Sequence, residues 1–128
     1  MNWIDTISST LLEKDLDGLW VRQQAISDNM ANVETPGYKA KRVSFEDQLL
    51  KELASPGSNP QAVSEAISSV TPEVTEDEGE TFREDGNGVD LEQQMIDMVR
   101  TTTNYSYSLR QMSDYFARLQ TAISGNVK

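Results

Sequence analysis

The sequence predicts a mainly α protein. Two long terminal helices pack as a coiled coil, joined through a turn, a short extended arm and a flexible acidic middle segment. Three observations carry this. An apolar repeat with a mean spacing of 3.5 residues runs through the last third of the chain, the pattern of a coiled-coil seam. A less regular version runs through residues 12–33. Between them the composition changes: all four prolines fall between residues 36 and 72, and residues 72–85 hold seven acids against one base.

The C-terminal repeat comprises Leu91, Met95, Met98, Thr102, Tyr105, Leu109, Met112, Phe116, Leu119 and Ile123, and only Thr102 is not apolar. Spacings of four and three alternate throughout, so these side chains share one helix face. Asp90 stands where an N-cap acceptor belongs, with Gln93 three residues on as in a capping box. Gly125 fits the left-handed residue that ends helices. At 1.5 Å per residue the helix is roughly 50 Å long.

The N-terminal repeat comprises Leu12, Leu16, Leu19, Gln23, Ile26, Met30 and Val33. Upstream, Ile4, Ile7 and Leu11 continue one position out of register, so the stripe drifts there. Gly18 lies inside this helix and should cost about 1 kcal/mol relative to Ala. The helix, expected over residues 3–33, must stop before Pro36, because proline disfavours the α conformation at Thr35.

Thr35-Pro36-Gly37-Tyr38 has Pro and Gly at the central positions of a type II β-turn. Beyond it Lys39, Lys41 and Arg42 alternate around Ala40, followed by Val43 and Phe45, which suits a short strand or arm with a basic face. Residues 54–85 are rich in Ser, Pro, Thr and Glu. Such a stretch buries too little apolar surface to offset its ordering entropy, so it reads as a loop. The expected division is therefore a helix over 1–34, a turn and arm over 35–53, a flexible loop over 54–88 and a helix over 89–128.

Composition removes several functions. The 128-residue chain carries a net charge of -10. That charge repels nucleic acid phosphates and anionic lipid. It has no cysteine and no histidine, so thiolate chemistry is absent and the commonest general base and metal ligand are missing. The start, Met1-Asn2-Trp3-Ile4-Asp5, lacks the basic and apolar regions of a secretory signal. Asp85-Gly86-Asn87-Gly88-Val89-Asp90 resembles a calcium loop only briefly: with Gly88 at the sixth position Arg83 takes the first and Gln94 the twelfth, where acids are needed. The segment reads instead as a turn before a capped helix. The acids between Glu73 and Glu84 lack the fixed separation that paired catalytic carboxylates require.

The residues Gln24-Ala25-Ile26-Ser27-Asp28-Asn29-Met30-Ala31-Asn32-Val33-Glu34-Thr35-Pro36-Gly37-Tyr38-Lys39 resemble the N-terminal signature of the bacterial flagellar rod, hook and related axial proteins. Asp85 to Met95 and Phe45-Glu46-Asp47-Gln48-Leu49 are similar to the corresponding segments of the proximal rod subtype. The resemblance covers residues 1–50 and 85–125. Two positions depart from its pattern: Gln94 stands where an acid is usual, and Thr101 where Asn is.

The resemblance implies a structural subunit of the flagellar basal-body rod, with no catalytic residue, cofactor or metal. It implies export without a cleaved signal through the flagellar type III apparatus. Its partners would be other rod proteins, the rod-base adaptor protein and the membrane-embedded ring, in a helical array with no nucleic acid. Asn29, Asn32, Thr35, Pro36, Gly37 and Tyr38 then form the family motif at the helix-to-arm junction. The assembly seam is Leu12, Leu16, Leu19, Ile26 and Met30 with Leu91, Met95, Met98, Tyr105, Leu109, Met112, Phe116, Leu119 and Ile123. The residues alone also admit a soluble coiled-coil binding module or export chaperone, which self-assembly would distinguish, and more remotely an Asp/Glu hydrolase.

Overall fold

The computed structural model describes residues 6–55, 57, 59–79 and 81–125. The expected helix start at residue 3, Ile4, Glu80 of the acidic run and the last three residues lie outside them. Six elements follow in order: α1 (Ile7–Ala31), β1 (Lys41–Ser44), α2 (Glu46–Leu53), α3 (Pro60–Ser69), β2 (Glu73–Glu76) and α4 (Leu91–Ser124). The two long terminal helices and the short extended arm are as the sequence predicts.

The ends of the helices follow local chemistry. Thr6 caps α1 in a reciprocal box with Ser9. Asp90 caps α4 by accepting from the Gln93 N–H at 3.2 Å. The Gln93 amide does not return to the cap; it donates to Asp97 one turn on. Gly125 closes α4 with φ of 65°.

The middle of the chain differs from the flexible loop expected over 54–88. Asn59 accepts from the Ala62 N–H at 2.7 Å and Pro60 opens the first turn, so α3 begins on a standard N-terminal signal. Val63 and Ile67 are buried on one face of α3, and Val70 follows just past its end. After Pro72, β2 pairs antiparallel with β1, Val43 opposite Val74 and Arg42 opposite Thr75. Three well-spaced apolar residues suffice here because a pocket made by other elements receives them.

That pocket is the core of the molecule, and it does not lie between the terminal helices. Leu19 and Ala25 of α1, Val43 and Phe45 of the arm, Leu49 of α2, and Val63, Ile67 and Val70 form one buried cluster. Phe45 is its keystone. A Cβ built on Gly18 would lie 2.5 Å from three atoms of the Phe45 ring. The helix-weakening glycine thus makes room for the aromatic side chain. The Arg22 guanidinium lies 4.9 Å from the ring centroid on α1, and its Nη2 donates to the Val43 carbonyl at 2.9 Å and the Glu46 carboxylate at 2.7 Å. Burial raises the Glu46 pKa, but the Arg22 hydrogen bond and backbone N–H groups at the start of α2 outweigh it and leave the carboxyl below its ordinary value.

The seam between α1 and α4 is also corrected. The helices run antiparallel: Thr6 meets Tyr115, Asp15 meets Ser108, and Asn29 meets Gln94. On α1, Leu19 and Ile26 are buried, while Leu12, Leu16 and Met30 are half-buried. On α4 only Met98, Tyr105, Met112 and Leu119 of the apolar stripe are half-buried; Leu91, Met95, Leu109, Phe116 and Ile123 are exposed. The fully buried residues are Thr101 and Ser108 instead. The helix is rotated so that small and polar residues face α1, where the Ser108 hydroxyl reaches the Asp15 carboxylate and the Gln94 amide reaches Asn29. The period was right; half of the stripe faces away from α1.

Candidate assembly site

Two features could serve an assembly: the junction that sets the direction of the arm, and the apolar stripe left open on α4.

The junction begins with Asn29, fully buried near the end of α1. Its Nδ2 donates to the Lys41 carbonyl at 2.9 Å and to the Gln94 Oε1 at 2.9 Å. Its Oδ1 accepts from the Lys41 N–H at 2.8 Å and from the Tyr38 hydroxyl at 3.3 Å. One amide therefore ties α1 to the arm and to the first turn of α4. A carboxylate at position 94 could also accept from Asn29, so the glutamine that departs from the family pattern keeps the contact without adding a charge. Burial pushes the Tyr38 phenol above its ordinary pKa.

Thr35-Pro36-Gly37-Tyr38 forms the turn as read: the Tyr38 N–H donates to the Thr35 carbonyl at 3.3 Å, and Gly37 has φ of 71°. Asn32 caps the end of α1 and accepts from the Thr35 hydroxyl at 3.1 Å. Pro36 and Gly37 are exposed.

Sequence reasoning missed Asn87. It is as fully buried as Asn29. Its Nδ2 donates to the carbonyls of Asn32 at 3.0 Å and Thr35 at 2.7 Å, and its Oδ1 accepts from the Val89 N–H at 2.8 Å. Around it the Gly37 N–H donates to the Asp85 carbonyl at 3.0 Å, and the Gly88 N–H to the Tyr38 carbonyl at 2.9 Å. Arg83 adds donation to the Val33 carbonyl and an ion pair with Glu34 at 3.1 Å. The two segments that carry the family resemblance, some fifty residues apart, thus form one clasp. The signal for Asn87 was its place between two glycines, which weighing the segment as a calcium loop treated only as turn chemistry.

Nothing lies within 4 Å of where a Gly37 Cβ would sit, so the only obstacle to a side chain there is its positive φ. Gly37→Val should therefore destabilise the clasp by about 1–2 kcal/mol, and Gly37→Asn by less, because Asn visits the left-handed region more readily. Urea unfolding of both variants checks the order. Equal midpoints for Val and Asn would mean that the turn does not hold its conformation.

The second feature lies on α4. Met95, Leu109, Phe116 and Ile123 are 54%, 48%, 50% and 65% exposed, at multiples of seven residues through Thr102. An exposed apolar row of this kind makes α4 a candidate interaction surface. No group of His, Cys, Asp and Glu that could hold a metal occurs among the described residues, and no described helix is long and apolar enough to cross a membrane.

No protein-family model matches the chain. Among curated proteins it is similar to the flagellar basal body rod protein FlgB of Borrelia hermsii, with 30% identity over 129 residues covering 91% of this chain and 96% of that protein. It is similar to the same protein of Aeromonas hydrophila, 30% identical over 109 residues with 81% and 83% covered. The Bacillus subtilis (strain 168) protein is 28% identical over 117 residues, with 89% and 91% covered.

Proposed function

This chain belongs to the FlgB family of flagellar basal body rod proteins, and from that premise we infer that its open α4 stripe is the surface through which it polymerises. It is a structural subunit of the rod, not an enzyme, and it co-assembles with other rod proteins. We place it in the proximal part of the rod, reached by type III export. The rod-base adaptor and the membrane-embedded ring are its neighbours there. The clasp supplies the geometry: it fixes the arm and the start of α4 to the end of α1, so that the assembly face is presented at a set angle.

The observation that carries the reading is the exposed half of the α4 seam. An apolar stripe at coiled-coil spacing, open on one side of a helix that is already packed on the other, needs a further helix to cover it. The experiment separates assembly from folding. Leu109→Asp and Phe116→Asp change residues about half exposed in the single chain, so each should alter its stability by under about 1 kcal/mol. In an assembled interface the same charge is buried unpaired and costly. Basal bodies should then lack the variants and motility should be lost, while Arg118→Ala, off the stripe, incorporates normally. Normal incorporation of Leu109→Asp and Phe116→Asp would exclude the stripe as the polymerising surface.

A further inference from the structure

The exposed stripe of α4 has a complement elsewhere on the same molecule. Glu13, Asp17, Trp20, Gln24, Ser27 and Ala31 follow spacings of 4, 3, 4, 3 and 4 along α1, and all six are exposed. This stripe is the exposed back of α1. At its centre stands Trp20, 52% exposed, whose ring lies 6.4 Å from that of Tyr105 on α4 and keeps its outer side open, and the stripe's only charges are the two acids. On α4, the stripe itself and its outer flank at positions 92, 96, 99, 103, 106, 110, 113 and 117 carry two charged residues, Glu92 at the start of the helix and Arg110 near its middle. Glu13, Asp17 and Arg110 take part in none of the ion pairs found among the described residues.

The levels also agree. Because Asp15 meets Ser108 and Thr6 meets Tyr115, Arg110 stands at the height of Glu13 along the antiparallel pair, with Asp17 one helical turn away. A second copy placed beside the first with little axial shift brings its acids opposite Arg110 and its Trp20 against the apolar stripe.

Resting on the assembly reading above, we propose that the occupant of the α4 stripe is the back of α1 of a second copy of this chain. The contact is heterologous: each subunit offers two different faces. Such contacts continue from copy to copy and generate an open helical array or a ring. The ion pair at its rim favours this neighbour over one that presents a basic or uncharged face.

The test uses the full chain, which has no cysteine of its own. Asp17 stands level with Ser106 in this register, so chains carrying Asp17→Cys are mixed with chains carrying Ser106→Cys under mild oxidation. A mixed disulfide dimer should form, with little dimer from either chain alone. Self-association measured by sedimentation should weaken by about fivefold or more for Arg110→Glu, where like charges meet. It should recover when Glu13→Arg and Asp17→Arg are added to the same chain, and the difference should shrink at high salt. Dimer from Ser106→Cys chains alone would mean that α4 packs on α4, and would overturn the proposal. So would a chain that stays monomeric by itself yet enters rods, or one unaffected by the charge reversals. If Leu109→Asp still blocks incorporation in those cases, the stripe remains the assembly surface and only its occupant is wrong.

Discussion

Asn87→Ala should lower the unfolding free energy by about 2–4 kcal/mol, since a buried group left without its partner costs about 1–3 kcal/mol and each further lost hydrogen bond about 0.5–1.5 kcal/mol. The Val89 N–H loses its acceptor, while the Asn32 and Thr35 carbonyls each lose one of two donors and keep the N–H groups of Thr35 and Tyr38. That is a large share of the roughly 5–15 kcal/mol by which a domain is stable. Asn87→Asp distinguishes the cause. It is nearly isosteric and can still accept from Val89, but it brings a carboxylate against two carbonyl oxygens, where the amide donates. It should be at least as damaging as alanine. Urea unfolding followed by circular dichroism, with basal-body incorporation at matched protein levels, checks both. If Asp were tolerated and Ala not, donation to the turn would be irrelevant and Asn87 would act by filling space.

Gly18→Ala should destabilise, although helix propensity alone predicts a gain of about 1 kcal/mol. The new methyl group would lie 2.5 Å from three atoms of the Phe45 ring, which is 1% exposed and has the Arg22 guanidinium against it. The ring has nowhere to retreat. Overpacking of this kind typically costs about 1–3 kcal/mol, which offsets the propensity gain and leaves a net loss. Enlarging the residue to Leu should prevent native packing of the core altogether. Adding Phe45→Leu to Gly18→Ala should recover part of the loss, because a smaller neighbour admits the methyl group. A Gly18→Ala protein with a higher thermal midpoint than the parent would show that the ring can move aside.

Much of this was legible in the residues. The α4 stripe spans many turns, and so long a repeat identifies a helix without any tertiary information. Pro36-Gly37 announced its turn, and Asp90 and Gly125 marked the ends of α4. The period could not say which side of the stripe meets α1. That choice rests on Thr101 and Ser108, small polar residues that carry no signal in a hydrophobic pattern but allow contacts with α1 that a row of leucines would block. Nor could composition reveal α3. Val63, Ile67 and Val70 are three apolar residues in a stretch of Ser, Pro and Glu, and their weight comes from the pocket that Phe45 and Leu49 make for them. The junction divided in the same way. Its N-terminal half was visible as turn chemistry next to a helix, but Asn87 acts across some fifty residues, and no local pattern encodes a partner at that distance.

The side chain of Asn29 also decides what the small sheet can do. In β1, alternate residues bond β2: the Asp77 N–H reaches the Ala40 carbonyl, so Lys41 turns its own backbone N–H and carbonyl the other way. There Asn29 meets both, at 2.8 and 2.9 Å, just as a neighbouring strand would. The Arg22 guanidinium occupies the next carbonyl, that of Val43. A strand edge is a template for another chain, and unprotected edges lead to aggregation. Here α1 seals one edge with side chains, and the other belongs to β2, whose exposed Glu73 and Glu76 set like charges against a second such strand. A protein concentrated among its own copies is thereby kept from joining them through its sheet, and its association is left to its helices.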